Sequence, residues 1–552
     1  MPSKKYKLKH QPTPSFPDRP KLEVKVITKK VVPPSLDETE VYPRLSNERS
    51  RMTETKPRLV PSTRMNLALV CFFGCLFTYT MRTNMSFAIV CMVNETAVAS
   101  TTNVSLLEAV STSACAKTPA VSSVDDGPKV EGEFAWGQDT TSSILSSFFW
   151  GYLGSQVLGG YLASTYGGKR VVLFTILGSS LLTLANPLAA RTSVYLLIAL
   201  RAVIGFLQGA TFPAMHTMWS VWGPPLEVTV LTGITYAGTQ IGNVLVLPLS
   251  GFLCQYGFDG GWPSIFYILG LGGVLWCAVW AYMTSDRPSD HPRISEEEKN
   301  YIVREVEATM GKQTGTPPKT PWLKILTSRA VWACWAGHFA GDWGAYTMLV
   351  ALPSFLKDVL GLELKSLGVI AAIPYIAYFF AINVGSVIAD GVRAKGLLST
   401  LNTRRAAMLV ALIGQASCLV AAGYCGCGQD VLVIAFITAG MALSGFQYSG
   451  FVVNYLDIAP PFSGTIMGAG NTLSSLAGII SPKVVSLLVV NKTKEEWQLV
   501  LWVTFAVLTF GATFFTLFCS GEVQPWAKLD DSASKGHELA PLRESEQEKA
   551  EA

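Results

Sequence analysis

Twelve long apolar stretches interrupt this chain of 552 residues, and they constrain its fold more than any other feature. They lie near residues 66–92, 142–163, 171–190, 194–217, 229–256, 264–284, 330–356, 367–389, 406–424, 431–456, 463–489 and 499–519. A helix needs about 20 mostly apolar residues to cross the hydrocarbon of a bilayer. Inside it, each backbone N–H and C=O has to find its partner within the protein. The polar–apolar alternation of an outer-membrane barrel is absent. The sequence therefore predicts an all-α, polytopic membrane protein with twelve transmembrane helices. Only 15% of the residues are charged, against about a quarter in soluble proteins, which excludes a soluble enzyme, a disordered chain and a collagen. A net charge of +4 is too small and dispersed for nucleic-acid binding. The 11 cysteines sit mostly in apolar runs without CxxC pairs or ligand-spaced histidines, so neither a metal site nor a disulfide scaffold is expected. No cofactor is implied, and without a nucleotide-binding motif an ATP-driven pump is disfavoured.

Charge orients the spans. Residues 1–64 hold 15 Lys and Arg against 7 Asp and Glu, whereas the loop 93–140 holds 2 against 7. Basic segments remain cytosolic, so the tail 1–64 is expected in the cytosol and the loop 93–140 on the lumenal or extracellular side. The first 64 residues are polar and rich in Pro and Lys, so no cleavable signal peptide is expected there. Three sequons, at Asn94, Asn103 and Asn491, fall in loops assigned to the non-cytosolic side and are the expected glycosylation sites. A fourth, at Asn84, lies within the first span and is expected to stay unmodified. Tyr42-Pro-Arg-Leu45 fits a tyrosine sorting signal, making sorting adaptors possible partners.

The spans divide six and six. The expected units are the polar tail 1–64, a first bundle 65–284, a cytosolic linker 285–328, a second bundle 329–519 and a cytosolic tail 520–552. In the linker, Ser295 and Glu298 read as a capping box opening an amphipathic helix to Thr309. The halves echo each other: Gly159-Gly-Tyr-Leu-Ala-Ser164 ends the second span and Gly385-Ser-Val-Ile-Ala-Asp390 the eighth, each followed by a short basic turn. Two repeated six-helix halves are the plan of a transporter that rocks about a central site.

Further motifs carry a family resemblance over about residues 66–526. They include Arg82-Thr-Asn-Met-Ser-Phe-Ala-Ile-Val, Ser147-Phe-Phe-Trp-Gly-Tyr152, Phe212-Pro-Ala-Met-His216 and Trp222-Gly-Pro-Pro-Leu-Glu227. Asn454-Tyr-Leu-Asp-Ile-Ala-Pro460 and Gly521-Glu-Val-Gln-Pro-Trp526 follow. At these residues the chain resembles the major facilitator superfamily and, within it, the anion:cation symporter family of sialin and the vesicular glutamate transporters. The sialin branch is the nearer, through Phe212–His216 and Ala422-Gly-Tyr-Cys-Gly-Cys427. The chain also departs from the family. Its fourth span usually places acidic residues three and seven positions after an Arg, whereas Arg201 is followed by Ile204 and Gln208. The family's Pro-Pro-Leu-Glu-Arg reads Pro224-Pro-Leu-Glu-Val228, and its His before Leu-Asp-Ile-Ala-Pro is Tyr455. Glutamate transporters carry an Arg in the seventh span where Gly341 and Asp342 stand here, which argues against glutamate as cargo.

Ionisable residues within spans are costly and mark functional sites. Arg82 offers a planar donor fork that grips a carboxylate or phosphate bidentately, and Arg201 and Tyr79 are further candidates for substrate contact. By resemblance, Asn454 and Tyr455 are expected to line the cavity. His216, Asp342 and His338 are the candidate proton carriers, because the usual carboxylates are missing; Asp342 is also placed to pair with Arg82. Glu227, Asp457 and Asp390, near the cytosolic ends, are expected to brace gates. The expected function is secondary active transport of a small organic anion, sialic acid or a related carboxylate, by alternating access and coupled to H+. A sodium-linked inorganic phosphate carrier and a non-transporting sensor are the alternatives. Lysosomal or vesicular membranes are expected over the plasma membrane.

Overall fold

Each expected span forms a helix in the computed structural model, which describes residues 57–94, 132–310, 319–360, 364–425, 428–490 and 493–528. The first six are Thr63–Met92, Gln138–Tyr166, Gly168–Thr192, Val194–Trp222, Val228–Tyr256 and Trp262–Met283. The second six are Arg329–Leu360, Leu364–Ala394, Thr400–Tyr424, Asp430–Ile458, Ser463–Leu488 and Lys494–Phe518. Among the described residues, nine helices are long and apolar enough to cross a membrane by length and composition. The second, seventh and eleventh are less apolar, and for a shared reason. They carry Tyr152, His338, Asp342 and Asn471, all of which line the same internal cavity.

The fourth and tenth spans, each the fourth helix of its half, are not continuous. The fourth pauses at Ala210, between Val194–Gly209 and Thr211–Trp222. The tenth tightens into a 3-10 segment, Gly445–Ser449, before resuming as Phe451–Ile458. In the first half the second and fourth spans touch backbone to backbone. A methyl group at Gly205 would strike the Phe148 carbonyl, and one at Gly151 the Ala202 carbonyl. Small residues permit this approach in a membrane, where dispersion replaces the hydrophobic drive between helices. Across the seam between the halves, the fifth span packs on the eighth and the second on the eleventh. Gly160 lies against Gly464, and Gly468 against the Gln156 backbone.

Two faces follow from the path of the chain: a tail side, where the first span starts, and a loop side, where it ends. On the loop side Cys91, at the end of the first span, forms a disulfide with Cys254, at the end of the fifth. This corrects the expectation that the cysteines form no disulfide. The partners are 163 residues apart and sit in apolar runs, so no spacing betrayed them. Nearby, Arg191 bridges Glu133 and Asp259 at 3.0 and 2.9 Å, and Trp262 donates to Glu133. Phe134 stacks on Trp136 and its backbone pairs with that of Met92 and Asn94. The end of the long loop is thereby anchored on the first half. The sequon at Asn94 belongs to this junction, and Asn84 is fully buried in the first span. Asn103, Asn491 and Tyr42–Leu45 lie outside the described residues.

Candidate functional site

A cavity of about 220 Å³ lies between the two halves. Arg82 projects into it from the first span, and the rings of Tyr79, Phe148, Phe149 and Tyr152 surround its guanidinium at 4.7–5.4 Å. Ring faces are electron-rich and attract a cation as it leaves water. The Arg82 guanidinium donates a hydrogen bond to the Tyr346 hydroxyl of the seventh span at 3.1 Å. No carboxylate among the described residues pairs with it, Asp342 included. The pairing expected from sequence is thus replaced by a bond to Tyr346, one turn further along the same helix. Most of the donor fork is left for a ligand.

Arg201 reinforces this arrangement from behind. It is almost wholly buried, and its guanidinium donates to the carbonyls of Met81 and Arg82 at 3.5 and 3.3 Å. It therefore fixes the backbone that carries Arg82, while one edge of it also reaches the cavity. With two guanidiniums and one carboxylate, Asp342, among its lining residues, the cavity favours an anion. Seven tyrosines and the amides of Gln240, Asn243, Gln447 and Asn471 supply neutral hydrogen-bonding groups. Several are held in place: Asn471 donates to Tyr152 at 3.0 Å, and Gln447 to Tyr378 at 2.6 Å.

Of the proton candidates, His338 and Asp342 line the cavity, with His338 Nε2 3.6 Å from Asp342 Oδ2. His216 lies beneath its floor, fully buried, with Nδ1 3.1 Å from the Tyr236 hydroxyl. Asn454 and Tyr455 do not line the cavity, contrary to expectation. Both are fully buried. Asn454 donates to Asp457 and to the Ser520 carbonyl, and the Tyr455 hydroxyl meets His338 Nδ1 at 3.1 Å. Tyr448, Phe451 and Val452 of the tenth span line the cavity instead, and Tyr455 lies one turn further toward the tail side.

This geometry agrees with the relatives of the chain. A family profile described as Major Facilitator Superfamily matches residues 71–482. Human sialin is 41% identical over 469 residues, covering 85% of this chain and 92% of sialin. The chain belongs to the major facilitator superfamily. Within it, the anion:cation symporter family that includes sialin is its place. A Caenorhabditis elegans protein named uncharacterized transporter slc-17.2 is 72% identical over 492 residues, covering 89% of this chain and 98% of that one. Among solved structures, the proton:xylose symporter XylE superposes with a TM-score of 0.58 at 15% identity, covering 83% of this chain and 97% of XylE. That likeness speaks for the fold.

In this transporter the tail side is closed by charge. Arg64, wholly buried, bonds to Glu227 at 2.7 Å and to Glu298 at 2.9 Å. Glu298 also accepts from the Thr63 and Arg64 amides, so its carboxylate serves the first span. Ser295 does cap the linker helix Glu296–Met310 through the Glu298 amide, but the reciprocal half of the expected capping box is diverted. Burial pushes the Tyr301 phenol above its usual value, keeping it neutral where its ring covers Arg64. Two further clusters cross the seam. Asp390 accepts from the Val230 amide at 2.8 Å, in the first turn of the fifth span, while its neighbour Arg393 donates to the Pro225 carbonyl at 2.8 Å. Arg404 of the ninth span pairs with Asp457 at 2.7 Å and donates to Thr229 of the fifth at 3.2 Å. Glu227, Asp457 and Asp390 thus each hold a contact on the tail side. Arg64, Arg404 and Tyr346 were missed: each stands at a span end or among many like residues, where sequence alone marks no partner.

Proposed function

We propose that this major facilitator transporter carries a small organic anion, an acidic sugar such as sialic acid or a related carboxylate, together with H+ by alternating access. The observation that carries the reading is the guanidinium of Arg82, caged by four rings in the central cavity without a carboxylate partner among the described residues. A carboxylate cargo would take its donor fork, and the surrounding phenols and amides suit a cargo rich in hydroxyl groups. The 41% identity to sialin supports the same cargo class. In this reading the tail side is cytosolic and the loop side faces an acidic lysosomal or vesicular lumen. The disulfide on the loop side supports that assignment, because such bonds persist in oxidising compartments.

Uptake of radiolabelled sialic acid into proteoliposomes, with and without an imposed pH gradient, tests the function. Flux driven by acid on the loop side is expected. Flux driven by sodium instead would favour an inorganic anion carrier, and no flux of any anion would favour a sensor. For orientation, glycosidase treatment of the cellular protein should lower its mass, and Gln at Asn94, Asn103 and Asn491 together should remove that difference. Glycan addition to a sequon inserted in 285–328 would invert the assignment.

A further inference from the structure

Coupling needs a group that binds a proton on one side and yields it on the other. The fourth span offers none at its usual positions: Ile204 is aliphatic, and the amide of Gln208 does not titrate at biological pH. We propose that the coupled proton resides instead on the second half, on the His338–Asp342 pair, and that Tyr455 connects this pair to the gate. The inference rests on the proposed proton-coupled transport and assigns its residues.

The geometry suits both protonation states. His338 Nε2 faces Asp342 at 3.6 Å, and Nδ1 faces the Tyr455 hydroxyl at 3.1 Å. A neutral imidazole carrying its hydrogen on Nε2 accepts from Tyr455, whereas an imidazolium donates to it. A hydroxyl rotates to serve either role, so loading and unloading require no repacking. Phe451 stacks on the His338 ring at 4.5 Å and fixes its plane. Asp342, about a quarter exposed, opens this pair to the water of the cavity.

The charged and titratable groups around the pair come from several spans. Tyr79 and Arg82 face it from the first, Tyr346 from the seventh, Tyr378 from the eighth, and Tyr448 and Tyr455 from the tenth. Asp342 is the one carboxylate among the lining residues. Unloaded, the pair carries one negative charge beside the two guanidiniums; with one proton bound it is neutral. Proton binding therefore raises the net charge of the site by one, and the anion lowers it by one. Each favours the other by the same coupling free energy. No ion-pair exchange with Arg82 is needed.

Tyr455 gives the pair a route to the seam. It is fully buried, and the His216 ring, from the first half, meets its ring edge-on at 6.1 Å. His216 Nε2 has no hydrogen-bond partner among the described residues. Two residues beyond Tyr455, Asp457 holds Arg404, which reaches the fifth span. Opening the tail side has to disturb this last turn of the tenth span. A proton bound from the loop side then meets the tail side as the gate opens.

Proteoliposomes test the assignment with radiolabelled sialic acid, measuring exchange at equal pH and accumulation under a pH gradient. One proton per monovalent anion sustains about tenfold accumulation per pH unit. Wild-type protein should approach that ratio, and Asp342→Asn and His338→Gln should fall to a ratio of about one while exchange persists. An Asp342→Asn protein that still accumulates overturns the proposal. If that variant loses exchange too, Asp342→Glu decides: a shifted pH midpoint of exchange supports the pair, and an unmoved one overturns it. Tyr455→Phe, which keeps the ring, should also move the midpoint; a purely structural role would leave it in place. Wild-type protein that takes up no organic anion would sink the functional reading alone. The pH dependence of thermal stability, compared between wild type and Asp342→Asn, then still judges the proton site: a transition lost in the variant supports it, and identical profiles overturn it.

Discussion

The two halves share a plan and differ in the charge they bring to the cavity. The first contributes fixed cations: Arg82 inside a ring cage, and Arg201 bonded to the backbone that carries it. The second contributes an imidazole and a carboxylate, His338 and Asp342, 3.6 Å apart. The same divergence recurs at the tail side. Where the second half ends its Gly-rich motif in Asp390, bonded to the first turn of the fifth span, the first half ends in Ser164, whose hydroxyl returns to its own Gly160 carbonyl. There the seam closes by contact between Gly160 and Gly464. A repeat duplicates architecture, and each copy then specialises. Under the proposed function, one half would hold the anion and the other the proton.

Arg82→Lys strikes this division hardest. An ammonium keeps the charge and loses the planar fork; a charge-assisted bond is worth about 1.5–3 kcal/mol, so uptake should weaken about ten- to a hundredfold at each pH. A variant weakened only at high pH would erase the distinction between the halves. Arg201→Gln should weaken apparent affinity about tenfold, by loosening the backbone under Arg82, while the accumulation ratio per pH unit holds. A fallen ratio would assign Arg201 to coupling. Asp390→Asn removes a charge from a helix start, worth about 0.3–1 kcal/mol. Labelling of Cys334, a buried thiol beside Asn454, by a maleimide from the tail side should rise about two- to fivefold. Unchanged labelling would show that the other contacts across the seam, Arg393 to Pro225 and Arg404 to Thr229 among them, hold it without Asp390. Smallest of all should be the effect of Cys254→Ser on transport. The disulfide lies within the first half, so its loss should lower the melting temperature and leave the accumulation ratio alone.

Much of the fold was legible because length and apolarity are sufficient to place a helix in a membrane. Even the three less apolar spans were found, since Tyr152, Asp342 and Asn471 each interrupt an otherwise apolar run. Glu227, Asp390 and Asp457 were legible as acids at span ends. Side-chain direction was not. Tyr455 and Asn454 were expected in the cavity by resemblance, and they sit beyond its lining residues Phe451 and Val452, toward the tail side. Arg64 looked like part of a basic tail, yet it is as fully buried as Arg404. Its partners are 163 and 234 residues away, and such distances leave no local pattern.

The bond between Arg82 and Tyr346 joins the first half to the second on the side from which the cargo would arrive. Under the proposed function, a passenger carboxylate would compete with this phenol for the same guanidinium. The vacant carrier is thus fastened by one of its own side chains, which stands in for the passenger. Boarding trades that internal fastening for one that travels, so the resistance of the seam to parting depends on occupancy. A phenylalanine at this position would leave the vacant carrier unfastened and free to cycle without freight.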